Sequence, residues 1–347
     1  MNNVDYLIVG SGLAGILFAE VLTRQHKTFL IIDDASQQSS VVAGGLYNPV
    51  ILKRFTGVWK AKEQLDIAMP IYERLENSLG IKLDNKISVK RLFNSIQEQN
   101  NWFLAADKPN LSKFLSHKII TNDNSSIKAD FGFGTVLRTG RIDTSSLVQA
   151  YKKELDKKGL LFDESFNYNL LDHHQDHLNY NKIKTKHVVF AEGFGLKNNP
   201  YFNHLPLNGT KGELITIFAP DLKIDYVLKS SVFLIPIGND YYLVGATYEW
   251  EDKTNAITQK AKSELISKLT KFIKCDFDIV NQVAGIRPTV KDRRPLVGRH
   301  KIYDNMYVLN GLGTRGVMIA PYVAQQLFDF IEHKLPLNLE INSNRFE

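Results

Sequence analysis

The chain has 347 residues, room for about two domains of ~150 residues each, and its 44% hydrophobic content is enough to fill two cores. The net charge of +6 and pI near 9.0 favour polyanions only weakly, because the lysines are scattered without the interleaved aromatics of a single-strand binding platform. A single cysteine, Cys275, excludes an intrachain disulfide and a cysteine-based zinc site. It fits a reducing compartment and reads as a small packing residue.

No apolar run approaches the ~18 residues of a membrane span, and the first residues lack the order of a secretory signal, so a cytoplasmic protein is expected. In chain order, residues 4–9 form an apolar strand that runs into Gly10-Ser11-Gly12-Leu13-Ala14-Gly15 and then an apolar helix ending near Gln25. Strand, glycine turn and helix open a dinucleotide-binding unit. Gly10 permits the tight turn, Gly12 lets the backbone approach a pyrophosphate, and Gly15 lets helix and strand pack closely, while the helix N-terminus offers free N–H groups to the phosphates. A second strand over residues 28–32 ends in Asp33 and Asp34. These lie roughly ~20 residues on, where the motif places its ribose-binding acid, and Asp33 is the choice for that role.

After a polar loop, Ala43-Gly44-Gly45-Leu46-Tyr47-Asn48-Pro49 specifies a turn that can approach a flat ligand closely. Lys53 and Arg54 follow it, either as a surface pair or as contacts for a nucleic-acid phosphate. Residues 59–79 carry a helical pattern that Pro70 should kink or restart. A strand is expected over 86–93, a helix over 95–106 with Trp102 and Phe103 inward, and glycine-broken strands over 127–136. Asp143 or Thr144 caps a helix that Gly159 ends.

Short strands are read at 160–162 and 167–171, then a polar hairpin containing His173, His174 and His177. These histidines sit at a turn without inward spacing, so no metal site is expected. Residues 186–193 form a buried strand ending at Gly193, which should rejoin the first sheet. Strands over 211–219, 226–236 and 241–247, a helix over 259–273 and a strand over 278–286 make an antiparallel, mostly separate unit. The last segment, a strand at 306–309, the turn Gly311-Leu312-Gly313-Thr314-Arg315-Gly316-Val317 and a helix over 318–333, returns to nucleotide-domain character. Its helix start would stabilise negative charge on a ligand.

Taken in order, these blocks resemble the D-amino-acid oxidase family of FAD-dependent oxidoreductases over essentially the whole chain. The matching segments are the Gly10 to Gly15 turn, Ala43 to Leu46, Gly140-Arg141-Ile142-Asp143, Val188 to Gly193, Lys211-Gly212-Glu213 and Leu243 to Thr247. Ala284-Gly285-Ile286-Arg287-Pro288, Asp292 to Gly298 and the Gly311 to Pro321 turn complete the series. Within the family, Ala284 to Arg299 looks like bacterial glycine oxidase. Gly313-Thr314-Arg315-Gly316 looks more like the flavin domain of the bifunctional enzyme that oxidises carboxymethylaminomethyl-uridine in tRNA.

The resemblance implies an α/β fold, α+β overall. A Rossmann-like FAD-binding domain over 1–52, 139–200 and 291–347 would join an antiparallel-sheet substrate domain over 53–138 and 201–290. It implies non-covalent FAD, since Cys275 lies outside the tethering motif. Adenosine would lie at Asp33 and Asp34, pyrophosphate at Gly10, Gly12, Leu13, Ala14 and Gly15, and the flavin ring between Ala43, Gly44, Gly45 and Leu46 and the turn Gly311, Gly313, Thr314, Arg315, Gly316 and Val317, with Gly193 alongside.

The implied chemistry is removal of a hydride from a carbon next to an amine, then imine hydrolysis, on an N-substituted glycine that is free or carried on tRNA. Arg287 is the candidate cation for its carboxylate. Arg315 either shares that carboxylate or sits over the flavin carbonyls, and Tyr248 either lines the pocket or faces the core. Two other readings stay open. One is a flavin-binding protein without turnover, which would be expected to lose Arg287; the other is a D-amino-acid dehydrogenase using an acceptor other than oxygen.

Overall fold

The computed structural model describes residues 2–346, so the outermost positions of the expected nucleotide-binding ranges, 1 and 347, lie outside the described residues. Two eight-stranded sheets carry the architecture. In the first, the strands Leu161–Asp163, Phe29–Asp33, Asn2–Val9, Ile183–Phe190 and Met306–Asn310 run parallel to one another in that spatial order. The Ile183–Phe190 strand forks. Its second half pairs with Met306–Asn310, and its first half takes an antiparallel hairpin, Leu171–His173 with Leu178–Tyr180. Parallel strands buried on both faces read as continuous apolar runs, which is why residues 4–9 and 29–32 show no polar alternation. Tyr6 and Ile8 belong to one core layer, and Leu7 and Val9 to the opposite layer with Tyr180, Phe190 and Phe202.

Among the described residues the six α-helices are α1 (Leu13–Arg24), α2 (Ala61–Leu79), α3 (Ile96–Ala106), α4 (Thr144–Lys157), α5 (Gln259–Leu269) and α6 (Gly316–Glu332). Helices α1 and α6 are apolar on nearly every face because they pack together beneath the parallel sheet, with α2 on the far side of α6. The Tyr72 hydroxyl donates to the Val317 carbonyl at 2.9 Å, tying α2 to the start of α6. Among the described residues no helix is long and apolar enough to cross a membrane.

The second sheet runs Asp278–Val290, Leu207–Phe218, Tyr241–Gly245, Phe233–Gly238, Val227–Lys229, Val89–Leu92, Phe133–Val136 and Leu115–Ile120. One face, with Ile215, Ile217, Leu234 and Val244, packs on α5 through Leu265 and Leu269. The opposite face, with Leu214, Phe233 and Ile235, is turned to the cavity described below.

Several local expectations change. Helix α2 is continuous through Pro70, which sits on its exposed face. In α3 the inward side chains are Trp102, Ala105 and Ala106, and Phe103, one step round the helix, is 36% exposed. The apolar run 226–236 is two strands joined by a hairpin at Ser230-Ser231-Val232, and the Val227–Lys229 strand pairs in parallel with Val89–Leu92, so this sheet is not wholly antiparallel. Residues Tyr168–Leu170 form a 3-10 turn rather than a strand. Helix α5 stops at Leu269, and the Asp278–Val290 strand runs past 286 to include Arg287. The Leu115–Ile120 strand has no counterpart in the sequence reading.

Candidate active site

A cavity of about 420 Å³ runs from the Gly10 turn to the start of α6, between the carboxyl ends of the parallel strands and the inner face of the second sheet. At its first end, Gly10 has φ +102°, and a Cβ there would meet the Ala191 carbonyl oxygen at 2.6 Å, so only glycine fits. Gly12 caps α1 without any side-chain cap, and it lines the cavity with Leu13 and Ala14. Gly15 does not line it. It lies against the Gly10 backbone and lets helix and strand close together.

Asp33 lines the cavity and is already paired: one oxygen accepts from the Ser11 N–H at 3.1 Å and the other meets Lys152 Nζ of α4 at 2.5 Å. Asp34 does not line it. Its carboxylate accepts from the Ser36 N–H at 3.0 Å and the Ser165 hydroxyl at 2.7 Å and shapes the loop. Glu192, beside Gly193, accepts from the Tyr168 hydroxyl and from Asn199 Nδ2 at 2.7 Å. Burial nonetheless pushes its carboxyl up to about 7, against the opposing pull of those two bonds.

Toward the other end the wall is made of two glycine turns. Ala43, Gly44, Gly45 and Leu46 line one side, and Gly45 holds φ +70° against the Ile142 carbonyl. Gly313, Thr314, Gly316 and Val317 line the other. Gly313 has φ +59° and gives its N–H to the Pro288 carbonyl at 3.0 Å, leaving the first N–H groups of α6 facing the cavity end. Gly311, φ +73°, lies underneath against Val290 and Leu296 and is not part of the lining. Asn310 Nδ2 donates to the Gly193 carbonyl at 2.9 Å and so ties together two backbone turns that are distant in sequence.

Arg287 projects from the Asp278–Val290 strand into this end of the cavity. Thr210 pairs with it on the neighbouring strand, and Gly212 lies two residues further along; a Cβ at Gly212 would collide with the guanidinium, so the glycine is what lets the arginine lie across the sheet. Its Nη1 donates to the Thr247 carbonyl at 3.2 Å, and its guanidinium stacks over the Tyr248 ring at 4.8 Å. Burial holds its pKa below the ordinary arginine value, with Tyr248 opposing. Tyr248 lines the cavity and is 61% exposed, so it faces the mouth and not the core.

Its position is built from the other face of the sheet. There the fully buried Lys211 ion-pairs with Asp252 at 2.6 Å, Glu213 accepts from Thr258 N–H and Oγ1 at 2.9 and 2.8 Å, and Lys211 and Glu249 exchange backbone bonds at 2.9 Å. Arg315 caps α6 and does not line the cavity, although its neighbours Thr314 and Gly316 do. Burial lowers its pKa too, with Tyr248 opposing and Arg293 reinforcing. Cys275 is not in the lining.

The sequence reading missed Val148, Gln149 and Lys152 of α4, the loop around Gln37, and Phe233 and Ile235 of the second sheet. The one available signal was the unbroken polar face of α4 beside Asp33's strand. Nothing in an amphipathic pattern says which polar residue meets a ligand.

The family model described as DAO, FAD dependent oxidoreductase, matches residues 5–329. The tRNA 5-methylaminomethyl-2-thiouridine biosynthesis bifunctional protein MnmC of Legionella pneumophila (strain Corby) is 21% identical over 95% of this chain and 54% of its own. The chain therefore spans about half the length of such curated relatives. Glycine oxidase of Bacillus subtilis (strain 168) is 26% identical over 47% of this chain and 44% of its own. Among solved structures, glycine oxidase from Geobacillus kaustophilus superposes with a TM-score of 0.81 at 17% identity, covering 98% of this chain and 97% of that one, a likeness of fold.

Proposed function

Because the chain belongs to the DAO family of FAD-dependent oxidoreductases, we propose that it oxidises the C–N bond of an N-substituted glycine. The cavity suits FAD on its own terms: it is elongated, glycine turns leave it room at Gly10, Gly12, Gly44, Gly45 and Gly313, and helix starts offer N–H groups at both ends. Asp33 would meet the adenosine ribose, Gly12 to Ala14 the pyrophosphate, and the Ala43–Leu46 and Gly313–Val317 turns the ring system. FAD, when bound, supplies a two-electron acceptor for the C–H bond beside the amine. In this reading the parallel-sheet segments hold the cofactor and the second sheet covers it and carries the substrate, in a reducing cytoplasm.

The single observation that carries the proposal is Arg287: a half-buried guanidinium in the wall at the ring-binding end of the cavity, with no carboxylate partner among the described residues. A partly desolvated cation without an acid is poorly compensated, and a substrate carboxylate in two parallel hydrogen bonds would relieve it. The arginine, the Tyr248 ring and the apolar wall of Leu214, Phe233 and Ile235 then fix the substrate's direction and keep water away, leaving orientation as the protein's main contribution.

A second reading, that the glycine is a carboxymethylaminomethyl group on tRNA, is favoured by the similarity to the tRNA-modifying relative, which extends over 95% of this chain. The test is anaerobic reduction of the FAD-loaded protein, followed as bleaching of its visible absorbance. Bleaching by sarcosine or glycine supports a free amino-acid substrate. Bleaching only by the modified tRNA, with steep loss at raised salt, supports the second reading. No bleaching by any amine overturns both.

A further inference from the structure

The hairpin that follows the Ala43–Leu46 turn, Val50–Ile51 with Thr56–Gly57, carries Lys53 and Arg54 in its exposed bend. Two segments distant in sequence come up against it. Phe55 meets Trp102 edge to face at 5.6 Å, and a Cβ on Gly57 would touch Asn110 at 3.5 Å, which places the turn bearing Lys108 beside the hairpin. Just past the hairpin, Trp59 lies edge-on to Tyr322 of α6 at 5.7 Å and under the Arg294 guanidinium at 5.3 Å, which brings in Arg293. All of this borders the ring-binding end of the cavity, because the hairpin, Arg293 and Tyr322 each come within a few residues of a lining position, Leu46, Pro288 and Val317.

The charge on this face is one-sided. Lys53, Arg54, Lys108 and Arg293 are exposed and Lys60 is half-buried, and none of the five is in an ion pair among the described residues. The acids of the same segments are taken: Asp66 by Lys62 and Arg138, Asp107 by His117, Asp292 by Arg345, and Glu340 by Arg294 and the Trp59 indole N–H. Among the described residues of these segments, Glu63 is the one acid left exposed without a partner. One substrate carboxylate is answered by Arg287. Free cations spread along a rim suit a chain of phosphates.

Beyond Arg287 the cavity wall ends in two exposed aromatic side chains, Tyr248 at 61% and Trp250 at 54%. The segment that carries them is held firmly. Glu249, between them, exchanges backbone bonds with Lys211 at 2.9 Å, the buried Lys211 ammonium holds Asp252 at 2.6 Å, and Lys253 Nζ donates to the Gly209 carbonyl at 2.6 Å. An exposed tryptophan on a fixed segment adds little to the core and offers a flat apolar face. Cations that follow a backbone and rings that stack bases are the two parts of a single-strand platform. The fold gathers at this mouth what the linear order of the lysines does not show.

We propose that the mouth docks a single-stranded RNA loop, its phosphates on Lys53, Arg54, Lys60 and Arg293 and an unstacked base on Trp250. The inference rests on the tRNA reading above and supplies the surface that reading needs. A free amino acid bound at Arg287 would use neither the hairpin nor Trp250.

The test uses the FAD-loaded protein and a labelled RNA stem-loop with an unmodified uridine in its loop, so that docking is read without turnover. Fluorescence anisotropy should show affinity falling about fiftyfold between about 50 and about 200 mM salt, the loss expected for four phosphate contacts on a single strand. The double substitution Lys53→Gln with Arg54→Gln should weaken binding by at least about tenfold at the lower salt and roughly halve the salt dependence. Trp250→Ala should weaken it by about fivefold or more and leave the salt dependence unchanged. Both variants should be bleached anaerobically by small amines at the rate of the unsubstituted protein. Absence of RNA binding, equal binding of a duplex of the same charge, or an unchanged salt dependence in the double variant overturns the proposal. So does a variant that slows small amines as much as it weakens RNA, because the residues then act through the fold. If sarcosine bleaches the protein and the stem-loop does not bind, only this inference falls; if the stem-loop binds as described and no amine bleaches the protein, the docking surface stands and the glycine reading falls.

Discussion

The two ends of the cavity treat charge in opposite ways. At the Gly10 end every charged side chain in the wall is already satisfied: Asp33 by the Ser11 N–H and Lys152, and Glu192 by the Tyr168 hydroxyl and Asn199. At the α6 end Arg287, half-buried in the wall, has no acid among the described residues. Side chains that bond to one another keep their positions whether or not a ligand is present, so the first end is preformed for a ligand that stays. An unpaired cation is stabilised only when an anion arrives, so the second end is suited to a ligand that comes and goes. On the proposed reading, the first end would hold the resident cofactor and the second the substrate.

If that division is right, substitutions at the two ends should change different measurements. The largest effect is expected for Arg287→Gln, which should lower kcat/KM for the reducing amine by roughly a hundredfold, about 3 kcal/mol, with FAD affinity nearly unchanged. Loss of FAD in parallel with loss of turnover would erase the distinction. Next comes Glu192. Its folded value, about 7, lies above the ordinary glutamate value of 4.5, so between those limits the native state holds a proton that the unfolded chain has released. Stability is therefore full below the lower value and falls as pH rises toward the upper one, by an amount of about 3 kcal/mol. Denaturant unfolding of the unsubstituted protein across pH 5 to 8 should show that decline, and Glu192→Gln should flatten it. A smaller effect is expected for Asp33→Asn, which leaves Lys152 without its partner and should weaken FAD binding by about tenfold while the kcat of the loaded protein holds.

The asymmetry also governs what could be read from the residues. The Gly10 to Gly15 turn is legible because its constraints are local: a strand, glycines at positions that tolerate no Cβ, and an apolar helix within one short segment. Arg287 is legible as a cation but not as a placed one, since its posture depends on Gly212 of a neighbouring strand and on Tyr248, held from the opposite face by Lys211 and Glu213. Lys152 is invisible, because its partner Asp33 is distant in sequence and polar residues on a helix face all look alike. The hairpin inside 226–236 was hidden for a different reason. Ser230-Ser231-Val232 turns without glycine or proline, so the apolar run looks continuous. Pro70 misled in the reverse direction, a strong local signal overridden by its exposure on α2.

The smallest expected effect sharpens the comparison most, because it asks what Tyr248 is for. Its ring lies under the Arg287 guanidinium at 4.8 Å, yet the residue is 61% exposed. A cation stacked on an exposed ring gains about 0.5–1 kcal/mol, so Tyr248→Ala should lower kcat/KM by only about three- to fivefold, and Tyr248→Phe, which keeps the ring, should lie close to the unsubstituted protein. If the phenol instead carried a proton in the rate-limiting step, both substitutions would cost roughly 10²–10⁴-fold and the pH profile would lose a limb. Steady-state rates of the two variants across pH separate these cases. A phenylalanine as damaging as the alanine would mean that this end of the cavity contributes proton transfer as well as orientation, and the view of it as an unpaired cation awaiting an anion would have to be rebuilt around the hydroxyl.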